Sequence, residues 1–349
     1  MVSDRNGVAL YESWREIMLT LGRCWFLFLA LPLLAQGPSS DDAQNCKDLS
    51  GDQAIAACTR VIRSGQLSPI DLAIVYHKRG NEWHGKREYN KAIADYDEAL
   101  RINPSYARAF YNRGVTRDAK GERDKAIADY SAAIRLDPCY DDAYVNRGNA
   151  LDDRGEHDKA IADYSEAIRI NPTFAPAFYN RAVAWEHKGE NEKAIADLNE
   201  AIRIKPSLES LFNRGTAFLH KEQYDEAIAD YDLAIQLNPK LSEAFLNRGL
   251  AWAHKGEYSK AINDCTEAVR LKPNYAEAYY TRALAEKLSN NPDAAIADLD
   301  TVLRVDHGYG LAYCLRRESW LVKQDKERAD ADEQKCRNFV LKQALSRKK

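Results

Sequence analysis

Pairs of asparagine and arginine recur along this sequence, and they are its residues with the clearest potential for specific chemistry. An asparagine carboxamide both donates and accepts hydrogen bonds, so a row of them can pair with the N–H and C=O groups of a polypeptide whatever its side chains. Arginine offers a planar fork of donors that matches a carboxylate. The pairs are Asn112-Arg113, Asn146-Arg147, Asn180-Arg181, Asn213-Arg214 and Asn247-Arg248, in steps of 34, 34, 33 and 34 residues. A fixed period of this size predicts a stack of helical hairpins.

The arginine column extends beyond the asparagines and is matched by a column of aspartates. The further arginines are Arg79, Arg282 and Arg316. The aspartates are Asp95, Asp129, Asp163, Asp197, Asp230, Asp264, Asp298 and Asp332. Because the two columns fall at similar depth on the two helices of each predicted hairpin, we predict structural ion pairs within a hairpin or between adjacent ones. Contact with a ligand is the alternative role for these arginines.

The asparagine column has two explanations. Its side chains either bind the backbone of an extended peptide or bond a backbone carbonyl of the neighbouring helix and fix the stacking. The preceding positions include aromatic residues that would line the same surface, namely Tyr111, Tyr179, Phe212 and Tyr280. A stripe of glutamates lies further along the same helices, at Glu209, Glu243 and Glu277. We expect a solvated face there or, if the stripe takes part in recognition, a ligand with a basic segment.

One unit, residues 107–138, shows the elements that must position these residues. A first helix is predicted to end at Gly121, since glycine adopts the left-handed conformation that closes helices. Ala126, Ile127, Tyr130, Ala133 and Ile134 then follow the spacing of one buried helical face. A proline ends the second helix. Gly114 is small where the two helices approach each other most closely.

These features together resemble the tetratricopeptide repeat family, over about residues 72–339. The resemblance implies an all-α fold, a right-handed α-solenoid of about eight 34-residue helix-turn-helix units. Units one to seven occupy residues 72–307, after an N-terminal cap with a half repeat at 36–71. Residues 308–349 form a degenerate eighth unit and C-terminal capping helix. In this family the first helices line a concave groove, and the asparagine column resembles the ladder in the repeat domain of O-linked N-acetylglucosamine transferase, where such side chains hold an extended peptide.

An apolar run at the start of the chain and the cysteine pattern bear on location. Residues 24–35 are too few to span a bilayer comfortably but fit the core of a secretory signal, so we expect residues 1–35 to be a signal peptide. The protein would then be exported, periplasmic or secreted, unless the segment stays uncleaved and anchors it to the inner membrane. Disulfides persist outside the cytoplasm. The expected bridges are Cys46 with Cys58 and Cys314 with Cys336.

Several classes of function are not expected. With 50 basic and 53 acidic residues the chain has no cationic surface suited to nucleic acid. Stacked repeats hold His187, His220 and His254 about 10 Å apart, which is too far for shared zinc ligation. No catalytic motif and no cofactor motif is present, so we expect neither an enzyme, a metal site nor a cofactor. The predicted function is binding of a protein or peptide in the groove. The alternative is a structural or self-assembling scaffold in the cell envelope, and the oligomeric state is left open.

Overall fold

The computed structural model describes residues 41–346, and the chain divides between Pro172 and Thr173 into two compact units that we describe separately. All 18 regular elements within these residues are α-helices. The first unit contains α1 (Asp41–Asp48), α2 (Gly51–Ser64), α3 (Pro69–Gly85), α4 (Tyr89–Ile102), α5 (Ala107–Ala119), α6 (Arg123–Leu136), α7 (Asp141–Asp152) and α8 (His157–Ile170).

The second unit continues the same alternation of helices. It contains α9 (Ala175–His187), α10 (Asn191–Ile204), α11 (Leu208–His220), α12 (Tyr224–Leu237), α13 (Ser242–His254), α14 (Tyr258–Leu271), α15 (Ala276–Leu288), α16 (Pro292–Val305), α17 (Gly310–Val322) and α18 (Lys326–Ser346). Each odd-numbered helix packs against the even-numbered helix that follows it, and within each unit consecutive hairpins pack together. The all-α stack of hairpins predicted from the period is therefore confirmed.

From α3 to α16, each hairpin has a contact between a small residue on its first helix and a larger residue 16 positions later. A Cβ atom added to Gly114 would lie only 2.8 Å from Cε1 of Tyr130, so only glycine fits against this buried ring. In the hairpin of α9 and α10, the same positions hold Ala182 and Leu198, both fully buried. In this hairpin the larger first residue is matched by a smaller second one.

The first helices end as the sequence predicts. Gly121 has φ +83°, and Glu222 adopts φ 59° at the corresponding position of the second unit. A non-glycine residue in this conformation carries a modest steric penalty. The turn geometry is therefore kept even where glycine is absent.

The N-terminal cap contains more structure than the predicted half repeat. The short helix α1 packs against α2, so the cap is a complete hairpin, although its first helix is only 8 residues long. Arg60 pairs with Asp42 across it at 2.7 Å. The polar segment 41–48 has too little apolar periodicity for sequence reasoning to identify a helix there. At the next junction, Ser68 accepts a hydrogen bond from the backbone N–H of Asp71 and caps α3, with Pro69 in its first turn.

The C-terminal hairpin departs from the repeat pattern in a coordinated way. Arg317 stands where the preceding repeats have glycine or alanine, and Glu333 stands where they have tyrosine, leucine or cysteine. The two side chains form an ion pair, so the small-to-large contact has become an electrostatic one. The second helix, α18, is 21 residues long and is the last helix of the described residues.

The predicted signal segment, residues 1–35, lies outside the described residues. Between residues 41 and 346, no helix combines the length and apolar character needed to cross a bilayer.

Candidate functional site

The arginine and aspartate columns meet inside the hairpins. Each arginine of the column contacts the aspartate 16 residues later through two hydrogen bonds. Nε donates to Oδ2 at 2.7–3.0 Å, and the terminal nitrogen donates to Oδ1 at 2.6–2.7 Å. All eight aspartates are at least 92% buried. Each of these arginines therefore joins the two helices of its hairpin through a buried carboxylate.

The remaining terminal nitrogen of the arginine reaches the preceding hairpin. In the first unit, Arg147 donates to Ser131 at 3.0 Å. In the second unit, Arg248 donates to Asp232 at 2.5 Å. Arg79 donates to Thr59 of α2, whereas in six later hairpins the acceptor lies two residues after the buried aspartate of the preceding hairpin. This position holds Asp97, Ser131, Asn199, Asp232, Thr266 and Asp300, all of which can accept a hydrogen bond. The recurrent acceptor is a sequence signal for inter-hairpin contact that the sequence analysis missed.

The asparagines of the first unit donate to side chains of the preceding hairpin. Asn146 Nδ2 donates to the hydroxyl of Tyr111 at 2.8 Å. Asn112 Nδ2 lies 2.8 Å from Nε2 of His77 and donates to Oδ1 of Asn81 at 3.0 Å. The partners are side chains and not the backbone carbonyls that the stacking hypothesis specified.

The second unit repeats this arrangement where a tyrosine is available. Asn213 Nδ2 donates to the hydroxyl of Tyr179 at 3.1 Å. For Asn247 the corresponding position of the preceding hairpin holds Phe212, which has no hydroxyl to accept this bond. Asn180 is likewise half-buried on its first helix.

Part of the hydrogen-bonding capacity of these asparagines is left over. Asn146 and Asn213 are half-buried, and within the described residues their hydrogen bonds involve Nδ2 alone. An asparagine Nδ2 carries two hydrogens, and its Oδ1 accepts up to two hydrogen bonds. One donor and the carbonyl oxygen therefore remain for a ligand, even with the contact to the neighbouring hairpin in place.

Aromatic rings flank the asparagines. Tyr111 packs against Tyr140 of the following hairpin with ring centroids 4.7 Å apart, and burial raises the pKa of Tyr111 to about 12. In the second unit, Phe212 packs against Tyr231 at 5.8 Å, and Tyr280 against Tyr309 at 5.3 Å. Within each unit, we call the surface formed by its asparagines and these flanking residues the asparagine face of that unit.

The glutamate stripe follows the asparagine face of the second unit. Glu209 and Glu277 are exposed, whereas Glu243 is half-buried and lies 3.7 Å from Lys272. Burial raises the pKa of Tyr275 to about 12, and the negative charges of Glu243 and Glu277 act in the same direction. The stripe therefore makes this edge of the face acidic.

Two disulfides lie in the first and last hairpins of the described residues. Cys46 and Cys58 join α1 to α2 with an S–S distance of 2.03 Å, and Cys314 and Cys336 join α17 to α18 at 2.10 Å. These are the pairings expected from the sequence. Cys265 is buried and has a free thiol.

Comparison with known proteins addresses the family and the fold. Tetratricopeptide repeat models match residues 141–174, 175–207, 209–241 and 242–275, and a related repeat model matches residues 75–117 and 119–152. No curated protein sequence matches the chain significantly.

Many solved structures share the architecture at low sequence identity. The C-terminal part of a repeat protein from Cytophaga hutchinsonii is 16% identical with a TM-score of 0.58, covering 68% of this chain and 98% of that one. A repeat protein from Parabacteroides merdae is 17% identical with a TM-score of 0.51, covering 71% and 98% respectively. PilF of Pseudomonas aeruginosa is 21% identical with a TM-score of 0.50, covering 60% and 97%. At these identities the likeness concerns the fold alone. With family models matching almost continuously from residue 75 to residue 275 and hairpins in the corresponding register, the chain belongs to the tetratricopeptide repeat family, a typically non-catalytic scaffold for binding proteins or peptides.

Proposed function

We propose that this protein binds extended segments of a partner polypeptide along the asparagine face of each unit. The proposal is carried by the hydrogen-bonding capacity left on Asn146 and Asn213, each of which uses only Nδ2 within the described residues. A backbone amide of a ligand can donate to Oδ1, and a backbone carbonyl can accept from the second Nδ2 hydrogen. Such contacts would hold an extended chain without regard to its sequence.

The flanking rings would supply most of the buried area. Tyr111, Tyr179, Phe212 and Tyr280 are all half-buried, so each retains surface that a ligand can cover. Aromatic side chains contribute large contact areas with few rotatable bonds, which limits the entropic cost of binding. Affinity would therefore come from the rings and orientation from the asparagines.

The hydrogen bonds to Tyr111 and Tyr179 also favour the alternative function, a structural or self-assembling scaffold. These bonds join neighbouring hairpins, as a purely structural asparagine would. The two functions differ in what is lost when only the tyrosine hydroxyl is removed, because Tyr111→Phe breaks the stacking bond and leaves the asparagine in place.

The test compares two sets of variants as bait in pull-downs from the native cell envelope and culture medium. One set carries Asn146→Ala, Asn180→Ala and Asn213→Ala, and the matched control carries Tyr111→Phe and Tyr179→Phe. We expect the asparagine variant to lose partners that the tyrosine variant keeps, with both variants folded by circular dichroism. An unchanged partner set in the asparagine variant would leave only the scaffold function.

We further propose that the protein acts outside the cytoplasm, in the periplasm or secreted. Two disulfides are consistent with an oxidising compartment. The alternative is that residues 24–35 are not cleaved off and anchor the protein to the inner membrane. Mass spectrometry of the mature N-terminus after cell fractionation distinguishes these outcomes, because cleavage near Ala35 yields a released chain and retention yields a membrane-bound one.

A further inference from the structure

An ammonium site built from this chain's own residues lies at the acidic edge of the second unit. Nζ of Lys272 lies 3.7 Å from a carboxylate oxygen of Glu243 and 4.1 Å from the ring centroid of Tyr275. A carboxylate beside the face of an aromatic ring attracts a cation through both its charge and the ring quadrupole. This arrangement shows that the glutamate stripe and its neighbouring ring can hold an ammonium group.

The same arrangement recurs one repeat later without its lysine. The residues 34 positions after Glu243 and Tyr275 are Glu277 and Tyr309, but the residue 34 positions after Lys272 is Asp306. A carboxylate thus replaces the ammonium. The cluster carries two acidic groups where the earlier one carries an acid and a base.

The second cluster is held in a defined shape. The rings of Tyr280 and Tyr309 lie 5.3 Å apart at an angle of 40°. Oδ1 of Asp306 accepts a hydrogen bond of 2.7 Å from the backbone N–H of Gly308, which fixes its carboxylate at the turn before α17. Both carboxylates are exposed, and within the described residues neither Glu277 nor Asp306 forms an ion pair.

The electrostatics of Tyr309 show that these groups act on one another. Its pKa is raised to about 12, first by burial, then by the charge of Glu277, by Tyr280 and by the charge of Asp306. Because neither carboxylate has an ion-pair partner within the described residues, both charges are open to a ligand cation.

We propose that Glu277, Asp306, Tyr280 and Tyr309 form a receptor for a lysine or arginine side chain of the bound polypeptide. The inference rests on the proposed peptide-binding function and specifies its ligand as a segment with a basic residue. The earlier cluster of Glu243 and Tyr275 is already occupied by Lys272 and does not take a ligand cation.

The experiment measures binding of a fluorescein-labelled nonalysine peptide to the full chain by fluorescence anisotropy at physiological ionic strength. Glu277→Gln removes a charge from the open cluster, and Glu243→Gln removes the same charge from the occupied one. We expect Glu277→Gln to weaken binding about three- to tenfold, the effect of losing one partly exposed charge contact, whereas Glu243→Gln stays within about twofold of the wild type.

A second pair of variants exchanges the two clusters. Asp306→Lys places a lysine in the open cluster at the position that Lys272 occupies in the other one. It should reduce binding of nonalysine more than the control Asp306→Asn, which only removes the charge. Lys272→Ala opens the occupied cluster and should strengthen binding. The proposed receptor is wrong if Glu277→Gln and Glu243→Gln reduce the affinity for nonalysine equally. It is also wrong if the wild type does not bind nonalysine.

These outcomes separate the inference from the function on which it rests. If nonalysine fails to bind while partner capture still depends on the asparagines, the cation receptor is wrong and the proposed function stands. If nonalysine binding depends on Glu277 while the asparagine variant keeps every partner, peptide binding by the asparagines is wrong and the cation receptor stands.

Discussion

At the scale of single residues, the contacts of the arginine side chain explain why it occurs in all eight repeats. Arg147 makes two hydrogen bonds to Asp163 within its hairpin and one to Ser131 of the preceding hairpin. Lysine cannot form this fork because its ammonium is a single point of charge. One guanidinium thus closes a hairpin and joins it to its neighbour.

Arg147→Ala should destabilise the first unit by about 3 kcal/mol, because it leaves the carboxylate of Asp163 buried without its partner. Asp163 is 6% exposed, so water cannot replace the lost bonds. Urea denaturation followed by circular dichroism measures the change. Arg147→Lys should recover only part of the loss, and a variant as stable as the wild type would show that the pair is not structural.

His77 should make the stability of the first unit depend on pH. Burial lowers the pKa of His77 to about 4, and the positive charge of Arg108 acts in the same direction. An unfolded histidine has a pKa near 6.5, so the unfolded chain binds the proton more tightly. The contribution of His77 is therefore fully present above pH 6.5 and is lost as the pH falls toward 4.

We expect this loss to reach up to about 3 kcal/mol at pH 4, as the difference between the two pKa values implies. Urea denaturation between pH 7 and pH 4 measures it. His77→Gln serves as the control, since it should flatten the profile in this range. If the stability of the His77→Gln variant changes with pH as steeply as that of the wild type, other titratable groups cause the pH dependence.

At the scale of elements, each hairpin depends on matched residue sizes across its two helices. Gly114 faces Tyr130, whereas Ala182 faces Leu198. The sequence predicts the small residue on the first helix and the apolar stripe on the second. It does not predict that the two sizes compensate, because that depends on which side chains meet across the packed helices.

Gly114→Ala should therefore destabilise the first unit by about 1–3 kcal/mol, since its new methyl group would overlap the ring of Tyr130. Adding Tyr130→Leu recreates the combination found at Ala182 and Leu198 and should restore part of the stability. Thermal unfolding of the two single variants and the double variant measures the coupling. Strictly additive effects would contradict size matching.

At the candidate site, too, only some features can be predicted from the sequence. The register of Asn146 and Arg147 follows from the period and from helix geometry. The hydroxyl of Tyr111 as the partner of Asn146 does not follow, because it lies 35 residues away and depends on how neighbouring hairpins are rotated. The helix α1 was missed for a similar reason, since it gains its stability from the packing and disulfide that join it to α2.

At the scale of the whole molecule, the first and last hairpins of the described residues each pack against one other described hairpin and each contain a disulfide. In a repeat array, stability is close to the sum of individual units and their interfaces, so end units are the least stable. Cys46–Cys58 and Cys314–Cys336 lie in these hairpins.

Removal of either disulfide should lower stability by roughly 2–4 kcal/mol, with the loss confined to its own end of the array. Hydrogen exchange of the Cys46→Ala, Cys58→Ala double variant and of the corresponding C-terminal variant would locate the effect. Protection should fall in α1 and α2 for the first variant and in α17 and α18 for the second. Uniform loss along the chain would instead indicate one cooperative body.

The central claim is that a partner polypeptide binds the asparagine face, and site-specific photo-crosslinking tests it most directly. A benzophenone amino acid replaces Leu250, which is half-buried three residues after Asn247 on α13, or Leu233, which is 45% exposed on the second helix α12. Irradiation in the native envelope or medium should yield a crosslinked partner from position 250 and none from position 233. A partner captured from position 233 alone, or equally from both positions, would contradict the account.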